Sequence, residues 1–263
     1  MVAALDDRRY GEDLEAETGL VADLARDADP SLPVPGCPDW ALGDVIAHLG
    51  RGHRWGAAIV SRRSTEYAPI DSLPGAQVPA AGDARSSWLR ESAAELVAAV
   101  REVGPDTPVW TLWLADGRAR FWLRRRLHEA VVHRADVSLA LGEDFVVGAE
   151  LAADGVSELL ELLASPGARV RRPETWGRLA GEGQTLHFHA TDEGLGEAGE
   201  WFVRRTPTGI AWEHGHAKGD VAVRGPAGTL LLALYRRVPP DDPGLDVLGD
   251  RELLDHWLAH TAF

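Results

Sequence analysis

The sequence predicts an α+β protein of two domains, a helical bundle followed by a small α/β domain. Up to Ser165 the chain is rich in Ala, Leu, Arg and Glu, with apolar residues at helical spacing. After Pro173 it changes to short alternating runs separated by Gly and Pro. Its 263 residues suit one large domain or two ordinary ones. The expected division is 1–166 for the helical part and 167–263 for the α+β part.

A first helix is expected over Asp6–Ala28, with Tyr10, Leu14, Val21 and Leu24 as its apolar stripe and Pro30 and Pro33 beyond its end. A second should start after Pro38, capped by Asp39, with Val45, Leu49, Trp55 and Ile59 facing inward. The Pro- and Gly-broken stretch Ser64–Gly82 reads as a crossover. Asp83 then caps a third helix carrying Trp88, Leu96 and Val103, which Gly104, Pro105 and Pro108 break. A fourth runs over Arg118–Leu141 and stops at Gly142. Four helices with one or two long connections make a bundle. A fifth, Ala149–Ala164, leads to the second part. There, strands are expected at Gln184–Ala190, Trp201–Arg205, Ile210–Glu213 and Val221–Arg224, with helices at Ala227–Tyr235 and Arg251–His260, the last capped by Asp250.

Charge and composition narrow the function classes. The balance of 27 basic and 41 acidic residues gives a net charge of −14, a field that repels nucleic acid. One cysteine, Cys37, excludes an intramolecular disulfide. The N-terminal residues lack the basic and apolar regions of a secretory signal. The longest apolar runs fall far short of the ~20 residues of a membrane span. A cytoplasmic protein acting on a small molecule is therefore expected, with neither nucleic acid nor membrane as partner.

The chemistry concentrates on the fourth helix. Glu129 and His133 are four apart, which places a carboxylate and an imidazole side by side on a face shared with Trp122 and Val137. Such a pair can hold a metal ion through nitrogen and oxygen. It is also the spacing of an ordinary ion pair. His48, among Val45, Leu49 and Gly52 on the second helix, can supply a third ligand, and Gly50 and Gly52 leave room for a close neighbour. Three ligands with one open position is the pattern of catalytic zinc.

Cys37-Pro-Asp-Trp40, Ala47-His48-Leu49 and Arg126-Leu-His-Glu-Ala-Val-Val-His-Arg-Ala-Asp136 resemble the mycothiol-dependent maleylpyruvate isomerase family, whose N-terminal part is a DinB-like metal-binding bundle. Asp220-Val-Ala-Val-Arg-Gly-Pro-Ala227 and Gly249-Asp250 are similar to the family's sterol-carrier-like C-terminal domain. The resemblance implies a zinc site at His48, Glu129 and His133, with mycothiol as thiol cofactor. It further implies a thiolate that adds to an electrophilic double bond, allowing cis–trans isomerisation. Mycothiol S-transfer to another electrophile, or ligand binding with a residual metal site, are the other readings.

An anionic substrate calls for arginine, whose fork is bidentate. Arg126 lies three before Glu129, Arg51 three after His48, and Arg224 ahead of Gly225-Pro226. Asp136 can orient His133 from behind, or pair with Arg134. Arg124 and Arg125 read as surface or cofactor-edge charges. His53 and His128 lie off the ligand faces. His187 and His189 share a strand face without an evident third partner, and His214 and His216 fall in a solvated turn. Cys37 reads as a small buried contact outside the ligand set.

Overall fold

The computed structural model describes residues 5–67, 69, 73–112, 117–171 and 173–261. The chain forms two compact units, Leu5–Phe145 and Val146–Phe263.

In the first unit, α1 (Asp7–Leu24) opens at Asp6, whose carboxylate accepts from the Arg9 amide at 2.7 Å. It ends four residues before the expected Ala28. The chain then turns into a hairpin that the sequence reading missed, β1 (Pro33–Val34) paired antiparallel with β2 (Cys37–Ala41) across Pro35-Gly36. The start of α2 (Leu42–Ser61) moves accordingly. Asp39 lies in β2 and does not cap it; Asp44, in the first turn, accepts from the Ala41 amide at 2.9 Å instead. Asp83 likewise sits in the first turn of α3 (Gly82–Val103), whose N-cap is Ala81. The fourth helix, α4 (Arg120–Leu141), stops at Gly142, where φ is 72°, a conformation that glycine adopts without a Cβ penalty.

Each of α1 and α2 packs on both α3 and α4. The core between them holds Leu14, Val21, Leu49, Ile59, Leu96, Trp122 and Val131, all buried. A buried ion pair, Arg134 Nε to Glu17 Oε2 at 2.6 Å, ties α4 to α1. The two glycines on α2 serve close approach: a Cβ on Gly50 would strike the Trp88 ring, and one on Gly52 the Arg126 guanidinium.

The second unit begins with α5 (Ala149–Ala164), which packs on the later elements α8 (Ala227–Leu234) and β5 (Gly209–His214). The expected boundary at 166/167 is thus moved to 145/146, because the apolar face of α5 is covered by the second unit. Two short helices follow, α6 (Pro166–Arg171) and α7 (Pro173–Leu179). The remaining strands are β3 (Thr185–Ala190), β4 (Glu200–Thr206), β6 (Val221–Gly225) and β7 (Asp246–Gly249), the last unforeseen. The sheet order is β5-β4-β3-β6-β7, with β3 and β6 parallel and the other pairs antiparallel. Period-2 alternation sends Leu186, Phe188, Trp201, Val203, Val221 and Val223 to the core. There the Trp201 indole donates to Ser157 Oγ of α5 at 2.9 Å. The last helix, α9 (Arg251–His260), starts at Asp250, whose carboxylate accepts from the Leu253 amide. Among the described residues, no helix is long and apolar enough to cross a membrane.

Candidate metal centre

The bundle brings His48, Glu129 and His133 together. One nitrogen of each imidazole and one oxygen of the carboxylate lie within 4.8 Å of one another. His48 Nε2 donates to Glu129 Oε2 at 2.9 Å, and His133 Nε2 stands 3.5 Å from the same oxygen. The two helices supply this geometry in different ways. On α4, Glu129 and His133 are one turn apart; on α2, His48 faces them from across the seam. Trp40 on β2 packs beside both rings, with centroids 5.0 Å from His48 and 5.7 Å from His133, nearly parallel to the latter. The hairpin thereby limits how the imidazoles can turn.

The surroundings fix tautomer and charge. His133 Nδ1 donates to Asp136 Oδ2 at 2.8 Å, which leaves Nε2 directed at the cluster. Arg134 is engaged with Glu17, so of the two roles considered for Asp136 the structure places it behind His133. Arg125 Nε and Nη2 both donate to Glu129 Oε1, at 3.1 and 2.5 Å. Of the two readings of Arg125, surface or cofactor-edge charge, the first is corrected: it is buried, because its position four before Glu129 puts it over the carboxylate. Burial alone would raise the Glu129 carboxyl. The Arg125 charge and the hydrogen bonds from His133 and His48 outweigh it and hold the group well below its ordinary range. Burial lowers His48, against the pull of Glu129. For His133 burial acts the same way, but the bonds to Asp136 and Glu129 prevail and raise it.

Two imidazoles and an anionic carboxylate, with the second polar atoms of His133 and Glu129 held by Asp136 and Arg125, fit a zinc-class ion. Glu129 is ionised, as such an ion needs, whereas His48 would have to carry its proton on Nδ1 in place of the nitrogen it turns to Glu129. His133 would have to release a proton.

Of the arginines expected at the site, Arg126 is there: buried, with Nη1 3.8 Å from Glu129 Oε2 and Nη2 donating to the Leu49 carbonyl. Arg51 is exposed, and its Nε donates to the Ala76 carbonyl of the crossover. It is brought to that loop rather than to the cluster, since its α2 position faces outward. Arg224 is exposed on β6 of the second unit, in register with His189 and Asp246. Cys37 is closer than the sequence reading placed it. Its thiol donates to Asp136 Oδ2 at 3.6 Å, and with His133 and Asp136 it forms a second possible ligand group. The β1–β2 pairing, missed in the sequence, is what carries it there. His53 is buried off the site, bonded through Nδ1 to Ser92 Oγ.

Comparison with known proteins bears on family and fold. Residues 12–138 match the Mycothiol maleylpyruvate isomerase N-terminal domain, and residues 150–256 the MDMPI C-terminal domain. No curated protein matches the chain. The crystal structure of the mycothiol-dependent maleylpyruvate isomerase is similar over 92% of this chain and 93% of its own, with a TM-score of 0.58 and 17% identity. The crystal structure of a histidine-to-alanine mutant of that isomerase gives 0.57 and 16% over the same shares. These likenesses concern the fold. With both domains matched in order over most of its length, the chain belongs to the mycothiol maleylpyruvate isomerase family.

Proposed function

We propose that the protein is a zinc- and mycothiol-dependent enzyme of the cytoplasm that isomerises an anionic cis-unsaturated substrate. The observation that carries this reading is the convergence of His48, Glu129 and His133 on one point in a chain of this family. A zinc ion held by these residues would keep the cofactor's sulfur ionised at neutral pH, and that thiolate is the nucleophile for an electrophilic double bond.

The chain's own residues set the conditions for this chemistry. Asp136 accepts a hydrogen bond from His133 Nδ1, so that the proton His133 gives up to a metal is the one on Nε2. Arg125 keeps Glu129 ionised and fixes the direction of its second oxygen. Arg126 is the charge best placed for a substrate carboxylate or a developing enolate, and it is buried, where such a contact is stronger than in water. Arg51 is retained only as a contributor from a long, exposed side chain, which would first have to leave Ala76. Cys37 is not the nucleophile in this reading; its thiol holds Asp136.

The test is a panel of cis-unsaturated dicarboxylates and other electrophiles with mycothiol, with product analysis separating isomer from thioether. Isomer without net thiol consumption is expected. A stable adduct as the only product would favour S-transfer. His48→Ala, His133→Ala and Glu129→Gln should each abolish activity and release the metal from this centre. Cys37→Ser, in which a hydroxyl can still donate to Asp136, should retain most of the activity. Turnover without any thiol, or full activity after complete removal of metal, would exclude the mechanism.

A further inference from the structure

A second cluster of metal-binding side chains lies in the other unit, on the sheet face opposite the core. His187 and His189 alternate along β3 and point to that face. Glu200 on β4 is the register partner of His189 and therefore stands directly across from it. His216, just beyond β5, folds back over the same carboxylate. His187 Nε2 and Glu200 Oε2 are 2.6 Å apart, His189 Nδ1 and Oε1 2.6 Å, and His216 Nδ1 and Oε1 3.2 Å. The His187 and His216 rings meet edge to face at 4.9 Å, and His189 and His216 at 6.0 Å. One donor atom from each of the four residues lies within 4.8 Å of all the others. The expectation that His187 and His189 lack a third partner is corrected; His216 is exposed, as expected, and also reaches Glu200. The missing partners come from strand pairing and a returning turn, which linear spacing does not reveal.

Three imidazoles converge on one carboxylate, two on Oε1 and one on Oε2. His187 is only 4% exposed, so this is not a loose surface grouping. Nitrogen-rich donors of this kind suit zinc and its neighbours, and disfavour magnesium and calcium, which take oxygen. Glu200 supplies a carboxylate oxygen as the fourth donor. Four protein ligands close a tetrahedral shell, the pattern of a structural rather than a catalytic ion. The ligands come from β3, β4 and the β5–β6 connection, and an ion there would pin the connection to the sheet.

We propose that His187, His189, Glu200 and His216 form a second metal site in this protein, a structural site for a zinc-class divalent ion. The inference does not depend on the reading of the first centre. The test uses the full, tag-free chain in a His133→Ala background, which removes the first centre. The protein is stripped with chelator, loaded with Zn²⁺ and freed of excess ion. One zinc per chain is expected to remain, with Co²⁺ in its place giving the absorption of a tetrahedral nitrogen–oxygen site. His189→Ala/His216→Ala should lose it. Both side chains are at least partly exposed, so the core is left intact. Glu200→Gln, of the same shape, should weaken zinc by at least about tenfold, since loss of even a group that only supports a ligand costs that much. Zn²⁺ should also raise the Tm of the His133→Ala protein but not of the triple variant. Equal zinc content with and without His189 and His216, or no zinc-dependent rise in Tm, would overturn the proposal and leave the cluster a metal-free hydrogen-bond network.

Discussion

Gly52 shows how closely single residues set the metal centre. A Cβ there would fall on the Arg126 guanidinium, so the small residue on α2 is what lets that charge lie buried beside Glu129. Gly52→Ala should therefore displace Arg126 and cost about 1–3 kcal/mol of stability, as overpacking does. If Arg126 holds the substrate's carboxylate, KM rises while the zinc content is unchanged; denaturant melts, zinc analysis and steady-state kinetics read the three effects separately. Asp136 acts at one remove, through the His133 tautomer. Asp136→Asn keeps the shape but removes the charge, and zinc affinity by chelator competition should fall about 10–100-fold. Helical spacing puts Glu129 and His133 on one face and offers His48 on another, but the same spacing suits an ordinary ion pair, and it is the resemblance to the family that joins the three as a ligand set. Arg125 reads in the sequence as a surface or cofactor-edge charge: the spacing that reveals a ligand pair also reveals its partner four residues earlier, but in a run of three arginines it does not say which one is buried. Glu200 and His216 were out of reach, since they meet His187 and His189 only through strand register.

At the scale of elements, the hairpin is the main feature that the sequence did not disclose. Cys37–Ala41 carries Pro38 and Asp39, which read as a helix start, yet the Pro35-Gly36 turn pairs this stretch with Pro33–Val34. A two-residue strand has no periodicity to recognise. The helices were legible because each repeats its apolar stripe over several turns, and their ends were shifted by only a few residues. What the stripe does not show is the polar stitch between α1 and α4. Glu17 and Arg134 are both buried and bonded at 2.6 Å, and Arg134 also lies 4.4 Å over the Phe145 ring. Removing one member takes the buried ion-pair partner from the other. Glu17→Ala should cost about 3–5 kcal/mol in urea unfolding, and Glu17→Ala/Arg134→Met should recover a substantial part of that loss. A Glu17→Ala protein of unchanged stability would show the pair to be dispensable.

For the molecule as a whole, the two-part organisation follows from the change in sequence character near residue 165, but the boundary falls some twenty residues earlier. Composition places α5 with the helices before it. Packing places it with the sheet, since its apolar face lies on α8 and β5 and its Ser157 accepts from the buried Trp201 indole. A helix that is one wall of a core cannot be removed without exposing that core to water. Between α4 and α5, Gly142 ends one helix in the left-handed conformation and Gly148 precedes the next, so the chain passes from one unit to the other through a short extended stretch. Fragments cut at the two boundaries should then behave differently. A 146–263 fragment keeps α5, Trp201 stays covered, and a cooperative thermal transition with blue-shifted tryptophan emission is expected. A 167–263 fragment lacks α5 and leaves Trp201 and the inner face of α8 in contact with water; it should show no cooperative transition, bind a hydrophobic dye and aggregate. Equal cooperativity in both fragments would return α5 to the bundle and restore the boundary that composition suggests.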